Sequence, residues 1–318
     1  MSNARKLADN LPTEGHFGNR NIVINGNFTV SQRGSYTSST SLSDGNFTLD
    51  RWQYTQDGSP NSSLIHNSDG SVRVTTGASV TGSARLRQKF EYALVPRQYD
   101  GKTFTVSAKV KSNTANARIN VYAGGYLSLT GTTAHSGGGS YETLTATFTT
   151  PSTINTEFSV HIGIDGASSA NVSITSGQYF EVKEVQMEEG SIHTPFEHEP
   201  YETTLRKCQR YYYTLRGNPN GKHLGGTTMR NNQYFYGYPR SFPTPMRIAP
   251  TFTYNNVSLY VGDHTNGYCT LSLAAAETDV FALNGNAAGA VNYAETGHTG
   301  LLYIDVYADR HVTFDAEL

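Results

Sequence analysis

Apolar and polar residues alternate along most of the chain. Between Thr103 and Lys111, Phe104, Val106, Ala108 and Val110 fall on one side, with Thr103, Thr105, Ser107, Lys109 and Lys111 on the other. That is the period of a strand with one buried face. The period recurs at Ile119, Val121 and Ala123, at Leu144, Ala146 and Phe148, and at Phe158, Val160, Ile162 and Ile164. Clusters of Gly, Asn and Ser at 112–117, 124–140 and 165–171 break these runs. Strands split by turn signals predict an antiparallel sandwich. The earliest run is NIVINGNFTVSQRG at 21–34, where Ile22 and Ile24 alternate with polar residues, Asn25-Gly26 interrupts, and Phe28 and Val30 resume. It predicts a first strand, a tight turn or kink, and a second strand. Residues 21–190 thus read as almost uninterrupted β-structure behind a polar lead at 1–20.

Near residue 188 the texture changes. Tyr201, Leu205, Cys208 and Tyr212 are spaced i, i+4, i+7 and i+11, one stripe of a helix. Pro200 suits its first turn and Glu202 its positive end, which predicts a short helix over about 200–210. The three tyrosines that follow, Tyr211 to Tyr213, read as packing in the joint. Strand periods then return. Tyr234, Tyr236 and Tyr238 share one face, and Leu302-Ile304-Val306 and Val312-Phe314-Ala316 end the chain. Pro243, Pro245 and Pro250 each remove a ladder donor, so FPTPMRIAPTFTY should run along an edge or between sheets. The fold class is therefore all-β: two antiparallel, jelly-roll-like β-sandwich domains joined by a short helix.

Composition narrows the function classes. The 318 residues carry a formal charge of −2, with only 16% charged, so the positive excess of a nucleic-acid binder is missing. Tyr (21) outnumbers Phe (14) and Gly reaches 31, a usage that suits half-wet strands and tight turns. Cys208 and Cys269 are too few for a disulfide-stapled fold and read as free thiols. No apolar run reaches membrane-spanning length, and the first twenty residues lack a signal-peptide core. The Asn-x-Ser/Thr triplets at Asn27, Asn46, Asn61, Asn171 and Asn256 are what this composition produces by chance.

Candidate chemistry is that of contact rather than reaction. Tyr234, Tyr236 and Tyr238 form the best contact stripe, either for a ligand or for a subunit interface, because tyrosine offers wide area at low entropy cost and keeps a hydroxyl. Trp52, the lone tryptophan, is a second ligand-binding candidate, since its face matches the C–H patch of a pyranose; a place in the core is the better supported reading. Asp50-Arg51 reads as a turn anchor. His193, Glu197, His198 and Glu199 lack a metal-ligand spacing and read as a polar linker, so no metal or cofactor is expected. Asp100, Glu142, Glu157, Asp165, Asp263, Asp279 and Asp305 are scattered, and no Gly-x-Ser-x-Gly, His-Glu-x-x-His or P-loop occurs. The chain is read as a non-enzyme.

Several stretches resemble tail-fibre and related virion proteins of tailed bacteriophages. ARKLADN with NRNIVINGNFTVSQRG is similar to the opening segment of that family, and DRW at 50–52 follows in place. VQMEEGSIHTPFEHEPYETTLRKCQRYYY resembles the joint that closes a carbohydrate-binding-like sandwich, and FPTPMRIAPT and the final FDAEL resemble parts of a distal domain. In order, these pieces span roughly the whole chain. The resemblance implies an N-terminal docking segment at 1–20, a carbohydrate-binding-module-like sandwich at 21–190, a linker with a short helix at 191–213 and a distal sandwich at 214–318. It implies a homotrimer on the virion, assembled in the bacterial host cytoplasm. That trimer would dock on other tail or capsid proteins through the lead and touch a host-surface glycan or protein. The lead before residue 21 is short, which points to a short spike, a tail-tip piece or a head-decorating fibre rather than a long fibre. The alternatives are a head-decorating or tail-assembly part with no receptor role, and a polysaccharide-degrading virion enzyme.

Overall fold

The computed structural model describes residues 20–93, 97–216, 222–230, 234–255, 257–261, 264–287, 299–304 and 311–318. The chain divides into two compact units, the first ending at Tyr201 and the second beginning at Glu202.

The described strands of the first unit are β1 (Thr40–Ser41), β2 (Gln53–Asp57), β3 (Ser63–His66), β4 (Val72–Thr75), β5 (Val80–Lys89), β6 (Thr103–Ser112), β7 (Ala117–Ala123), β8 (Tyr141–Thr149), β9 (Phe158–Ile164), β10 (Val172–Ile174) and β11 (Tyr179–Glu189). They form a six-stranded sheet in the order β1-β3-β4-β11-β6-β8 and a smaller sheet in the order β10-β5-β9-β7, with β2 also on β5. Each pairing is antiparallel. The apolar phase read from the sequence is the buried one: Phe104, Val106, Ala108 and Val110 from the larger sheet meet Ile119, Val121, Phe158, Val160 and Ile162 from the smaller in one core. Phe158 is the hub, with ring centroids of Phe90, Tyr99, Phe104 and Phe148 at 4.9 to 6.3 Å. Each such side chain contributes about 1.5–3 kcal/mol by leaving water.

The opening segment departs from the strand-turn-strand expectation. Residues 21–34 lie in no strand, and Val23, not Ile22 or Ile24, is the buried member of its first run. The reason is Asn25, which sits at φ 58° with its side chain buried. Its amide donates to the carbonyls of Val30 (2.9 Å) and Asp50 (3.0 Å), and its Oδ1 accepts the Val30 N–H (3.0 Å). These bonds take the place of a ladder. The Asn25 carbonyl accepts the indole N–H of Trp52 at 3.0 Å, and Phe28 packs on that indole at 5.1 Å. Gly26 passes so close to β11 that a Cβ would lie 2.0 Å from the Val185 oxygen. The segment is a plug in the sandwich, not its first strand.

One rim of the sandwich is sealed by the stretch from Tyr126 to His135. It bonds to β7 through Leu127, Thr133 and His135, and to the outer side of β8 through Thr130 and Thr132. An irregular segment thereby satisfies two sheet edges at once.

The helix α1 (Tyr201–Gln209), inside the stretch read as a linker, belongs to the second unit from its second residue on. Its buried residues are Thr204 and Cys208, while Tyr201 at the open first turn is exposed. The side chain of Cys269 lies outside the described residues. The described strands are β12 (Tyr212–Arg216), β13 (Lys222–Met229), β14 (Tyr234–Gly237), β15 (Arg240–Ser241), β16 (Thr251–Asn255), β17 (Val257–Val261), β18 (His264–Ala276), β19 (Val280–Ala287), β20 (Thr299–Ile304) and β21 (His311–Asp315). Two antiparallel sheets share one core. The smaller has the order β12-β21-β16 and the larger β14-β13-β20-β17-β18-β19-β15. An additional β14–β19 pairing closes the larger sheet, so β13, β14, β17, β18, β19 and β20 form a ring. Phe314 is central to the core, 4.5 Å from Phe281 and 5.0 Å from Phe242 between centroids. The proline-rich 242–250 stretch is not a strand; it sends Phe242 and Met246 into this core before β16 begins as an edge strand. Val312, Phe314 and Ala316 are buried as their period required, and the chain end is tied down by Arg247, whose guanidinium donates to the carbonyls of Ala316 (2.8 Å) and Glu317 (2.9 Å). The partner run Leu302-Ile304-Val306 reaches β20, but Val306 lies outside the described residues.

Candidate functional site

Strand β14 separates its side chains by strand geometry alone. Phe235 points into the ring and is 1% exposed, whereas Tyr234 and Tyr236 point outward and are 45% and 47% exposed. The inner row runs Met229, Phe235, Gly285, Leu271 across β13, β14, β19 and β18. The outer row beside it runs Thr228, Tyr236, Asn284, Ser272. Gly285 is required here. A Cβ on it would lie 2.5 Å from both the Phe235 ring and the Thr270 oxygen, so only glycine lets that ring cross the neighbouring strand.

A shallow depression of about 280 Å³ lies at these strands, lined by Arg230, Tyr234, Tyr236, Thr270, Ser272 and Asn284 together with Phe235, Leu271 and Gly285. Tyr238 extends the aromatic surface beyond β14. It is 55% exposed, and its hydroxyl shares a 2.8 Å hydrogen bond with the Thr228 hydroxyl. Its ring packs on Gly226, where a Cβ would come within 3.0 Å. The structure thus brings together the three tyrosines predicted as a stripe and surrounds them with hydroxyls and an amide. Such a surface offers flat apolar faces and hydrogen-bonding groups side by side, and among the described residues no acid lines the depression.

Trp52 is corrected. It is fully buried in the first unit, with its indole N–H on Asn25 and its ring on Phe28, so neither face can meet a ligand. Asp50-Arg51 anchors a turn, as read. The Asp50 carboxylate accepts the backbone N–H of Gln32 (2.8 Å) and its side-chain amide (2.5 Å), and Arg51, at φ 73°, donates to the Lys89 carbonyl (2.6 Å). Glu197 accepts the Asn21 N–H at 3.0 Å, and His198 stands edge-on to Phe196. Among the described residues no three His, Cys, Asp or Glu side chains converge on a metal-sized position.

The scattered acids stay apart. Asp165 bonds Arg85 and Asn120, Glu157 bonds Arg87, Lys89 and Ser159, Glu142 bonds Ser136, and Asp100 pairs with Arg97. Asp263 and Asp305 lie outside the described residues. One carboxylate pair was missed by the sequence reading. The Ser71 hydroxyl lies between Asp69 and Glu181, at 2.6 and 2.9 Å, and donates its one hydrogen to either carboxylate. A hydrogen bond from Lys183 at 2.8 Å holds Asp69 below the usual carboxylate range. Burial pushes Glu181 up, but the bonds from Tyr141, Arg73 and Ser71 outweigh it and leave it lowered. Both are ionised at neutral pH, so neither supplies the proton that a glycosidase acid must hold. With the two 112 residues apart in sequence, no spacing could have announced them.

No family model matches the chain, and no curated protein matches it. Solved structures similar to it include a carbohydrate-binding module described as CBM4, at 16% identity and TM-score 0.30 over 52% of this chain and 98% of that one. The CBM22-1–CBM22-2 tandem domain of Xyn10C from Paenibacillus barcinonensis matches at 9% identity and TM-score 0.29, over 89% of this chain and 96% of that one. Botulinum neurotoxin type C, whose uptake into cells depends on two ganglioside molecules, matches at 10% identity and TM-score 0.24, over 88% of this chain and 98% of that one. At such values the likeness says nothing about ligand or activity. The class the fold defines is an all-β chain of two antiparallel units, the second carrying an outward aromatic and polar face.

Proposed function

We propose that the chain is a non-catalytic attachment protein that binds a saccharide on the outer face of β14, and that it serves as a bacteriophage tail fibre or spike. One observation carries the binding: Tyr234, Tyr236 and Tyr238 are each about half exposed on a single face beside Asn284, Ser272 and Thr270. Tyrosine rings present a flat apolar surface to sugar C–H groups, and the adjoining amide and hydroxyls bond sugar oxygens. The depression is small, which suits one or two sugar rings and a dissociation constant on the order of 1 mM per site. Useful affinity would then come from several copies acting together, as in a homotrimer fixed on a virion and presented to a host-surface glycan. The virion, the trimer and docking through the N-terminal segment rest on the resemblance of ARKLADN, NRNIVINGNFTVSQRG and VQMEEGSIHTPFEHEP to tail-fibre proteins.

The test is a glycan array probed with the fluorescently labelled chain and with the Tyr234→Ala/Tyr236→Ala variant. Selective glycan binding that the variant loses supports the reading, and an array without signal at multivalent display sinks it. The same face would also suit contact between copies. In that case light scattering would show an oligomer that the double variant dissociates, and glycan would not compete.

A further inference from the structure

The outward face of the smaller sheet in the first unit has no aliphatic side chain. Cross-strand register sets Gln53, Arg87, His161 and Asn120 in one row across β2, β5, β9 and β7, and Thr55, Arg85, Gly163 and Arg118 in the next. Lys89, Ser159 and Tyr122 form a third. Two features of this grid are unusual.

The first is charge. Arg85 pairs with Asp57 (2.6 Å) and Asp165 (3.5 Å), and Arg87 (3.3 Å) and Lys89 (3.0 Å) share Glu157. Arg118, half-buried, has no ion pair among the described residues. The second is unmet hydrogen bonding. Thr55 Oγ1, the Nε atoms of Arg85, Arg87 and Arg118, and His161 Nδ1 are buried without partners. Buried polar atoms are normally paired, so five on one face call for an explanation.

His161, 5% exposed, shows what is wanted. Its Nε2 lies 2.9 Å from the Ser159 hydroxyl, whose single hydrogen goes to Glu157 at 2.6 Å. Ser159 must therefore accept from His161, which places the proton on Nε2 and leaves Nδ1 a bare acceptor. Burial, then Arg85, Arg87 and Lys89, hold the imidazole neutral by pulling its pKa down to about 3. The Tyr126 ring stands edge-on over His161 at 5.8 Å and against Tyr122 at 5.2 Å. A ligand that suits all this carries an anion for Arg118, a hydroxyl for Nδ1 and a flat C–H face for the tyrosines. A sulfate, fully ionised, offers no donor to Nδ1. From Arg118 to Tyr122 along β7 is about 13 Å, at about 3.3 Å per residue, the length of a short oligosaccharide.

We propose that this face binds a saccharide bearing a carboxylate: Arg118 pairs with the carboxylate, Tyr122 and Tyr126 stack on a sugar ring, and Tyr126 turns aside to let a sugar hydroxyl reach His161 Nδ1. The site is separate from the face of β14 and stands or falls without it.

The test uses the full chain carrying Tyr234→Ala and Tyr236→Ala, so that β14 contributes nothing. Trigalacturonate and its methyl ester are titrated against it by calorimetry, with acetate and sulfate as controls. The expected result is at least a tenfold preference for the acid, lost in Arg118→Gln and partly kept in Arg118→Lys. Tyr122→Ala should weaken acid and ester alike, and the His161 Nδ1 nitrogen resonance should shift on saturation. A thermal melt of each variant identifies any that fails to fold, and Arg118→Lys then carries the comparison. Equal binding of acid and ester, a preference indifferent to Arg118, an unmoved His161 resonance, or displacement by acetate or sulfate at matched concentration would each overturn the proposal; the last would reveal a simple anion patch.

Discussion

Replacing Asn25 by alanine should unfold the first unit more readily than almost any other single change. The side chain bonds the Val30 N–H, the Val30 carbonyl and the Asp50 carbonyl at 2.9 to 3.0 Å, all in a buried setting. Val30 keeps a second donor on its carbonyl, from Asp50 at 3.2 Å, so the loss falls on the Val30 N–H and the Asp50 carbonyl. Each costs about 1–3 kcal/mol when stranded. Asn25 also sits at φ 58°, which costs alanine about 1–2 kcal/mol more. The sum is about 3–8 kcal/mol, a large share of the roughly 5–15 kcal/mol that holds a domain together. Trp52 is the only tryptophan, fully buried and bonded to the Asn25 carbonyl, so its fluorescence in a urea titration reports on this unit alone. Asn25→Gly separates the two causes, because glycine removes the backbone cost and keeps the hydrogen-bond loss; it should recover about 1 kcal/mol. An Asn25→Ala midpoint within about 1 kcal/mol of the parent would refute the idea that one side chain replaces a ladder in the opening segment.

Gly285→Ala drives a methyl group into the Phe235 ring and should destabilise the second unit by about 1–3 kcal/mol, seen as a lowered tyrosine-monitored melt, while Phe235→Leu in the same chain should recover part of it. Tyr234→Ala and Tyr236→Ala, both at exposed positions, should change stability by less than about 1 kcal/mol and show their effect only in saccharide titrations. Folded His161 takes its proton near pH 3 and the unfolded chain near its ordinary 6.5, so unfolding takes up a proton between those values and acid destabilises the first unit; the slope is at most about 1.4 kcal/mol per pH unit and should flatten in His161→Gln, read from urea midpoints at pH 4 to 8. Asp69 and Glu181, both lowered, add stability at neutral pH that is lost as pH falls through their folded values, and Lys183→Met should shrink the acid-side loss belonging to Asp69.

The core-facing apolar phase was the most legible property of the chain, because a strand's alternation is local: Phe104 to Val110 and Phe158 to Ile164 could be placed without knowing their neighbours, although the polar phase of the second run proved buried as well. Residues 21–34 defeated the same rule. Their conformation is set by Asn25 reaching Asp50 and Trp52, and a side chain that bonds distant backbone leaves no periodic trace. The tyrosine stripe was legible as a shared face. That the face is outward depends on Phe235 filling the ring interior opposite Gly285, a pairing across strands fifty residues apart in sequence. For Trp52 the core was the better supported reading, and the structure bears that out; what the sequence could not show was its bond to the Asn25 carbonyl, which depends on a distant segment. The Asp69–Glu181 bridge and the Arg85–His161–Arg118 grid were invisible for one reason: register between non-adjacent strands creates them.

The β14 strand is only four residues long, yet it is the piece that shuts a six-stranded hoop, held by three residue pairs on each side. A clasp that short is where such a hoop would spring open first. Tyr236 on one side of the join and Asn284 and Ser272 on the other would be gripped by the same sugar, so an occupied site would act as a rivet. Under the proposed function, saccharide binding would then strengthen the weakest joint of that hoop.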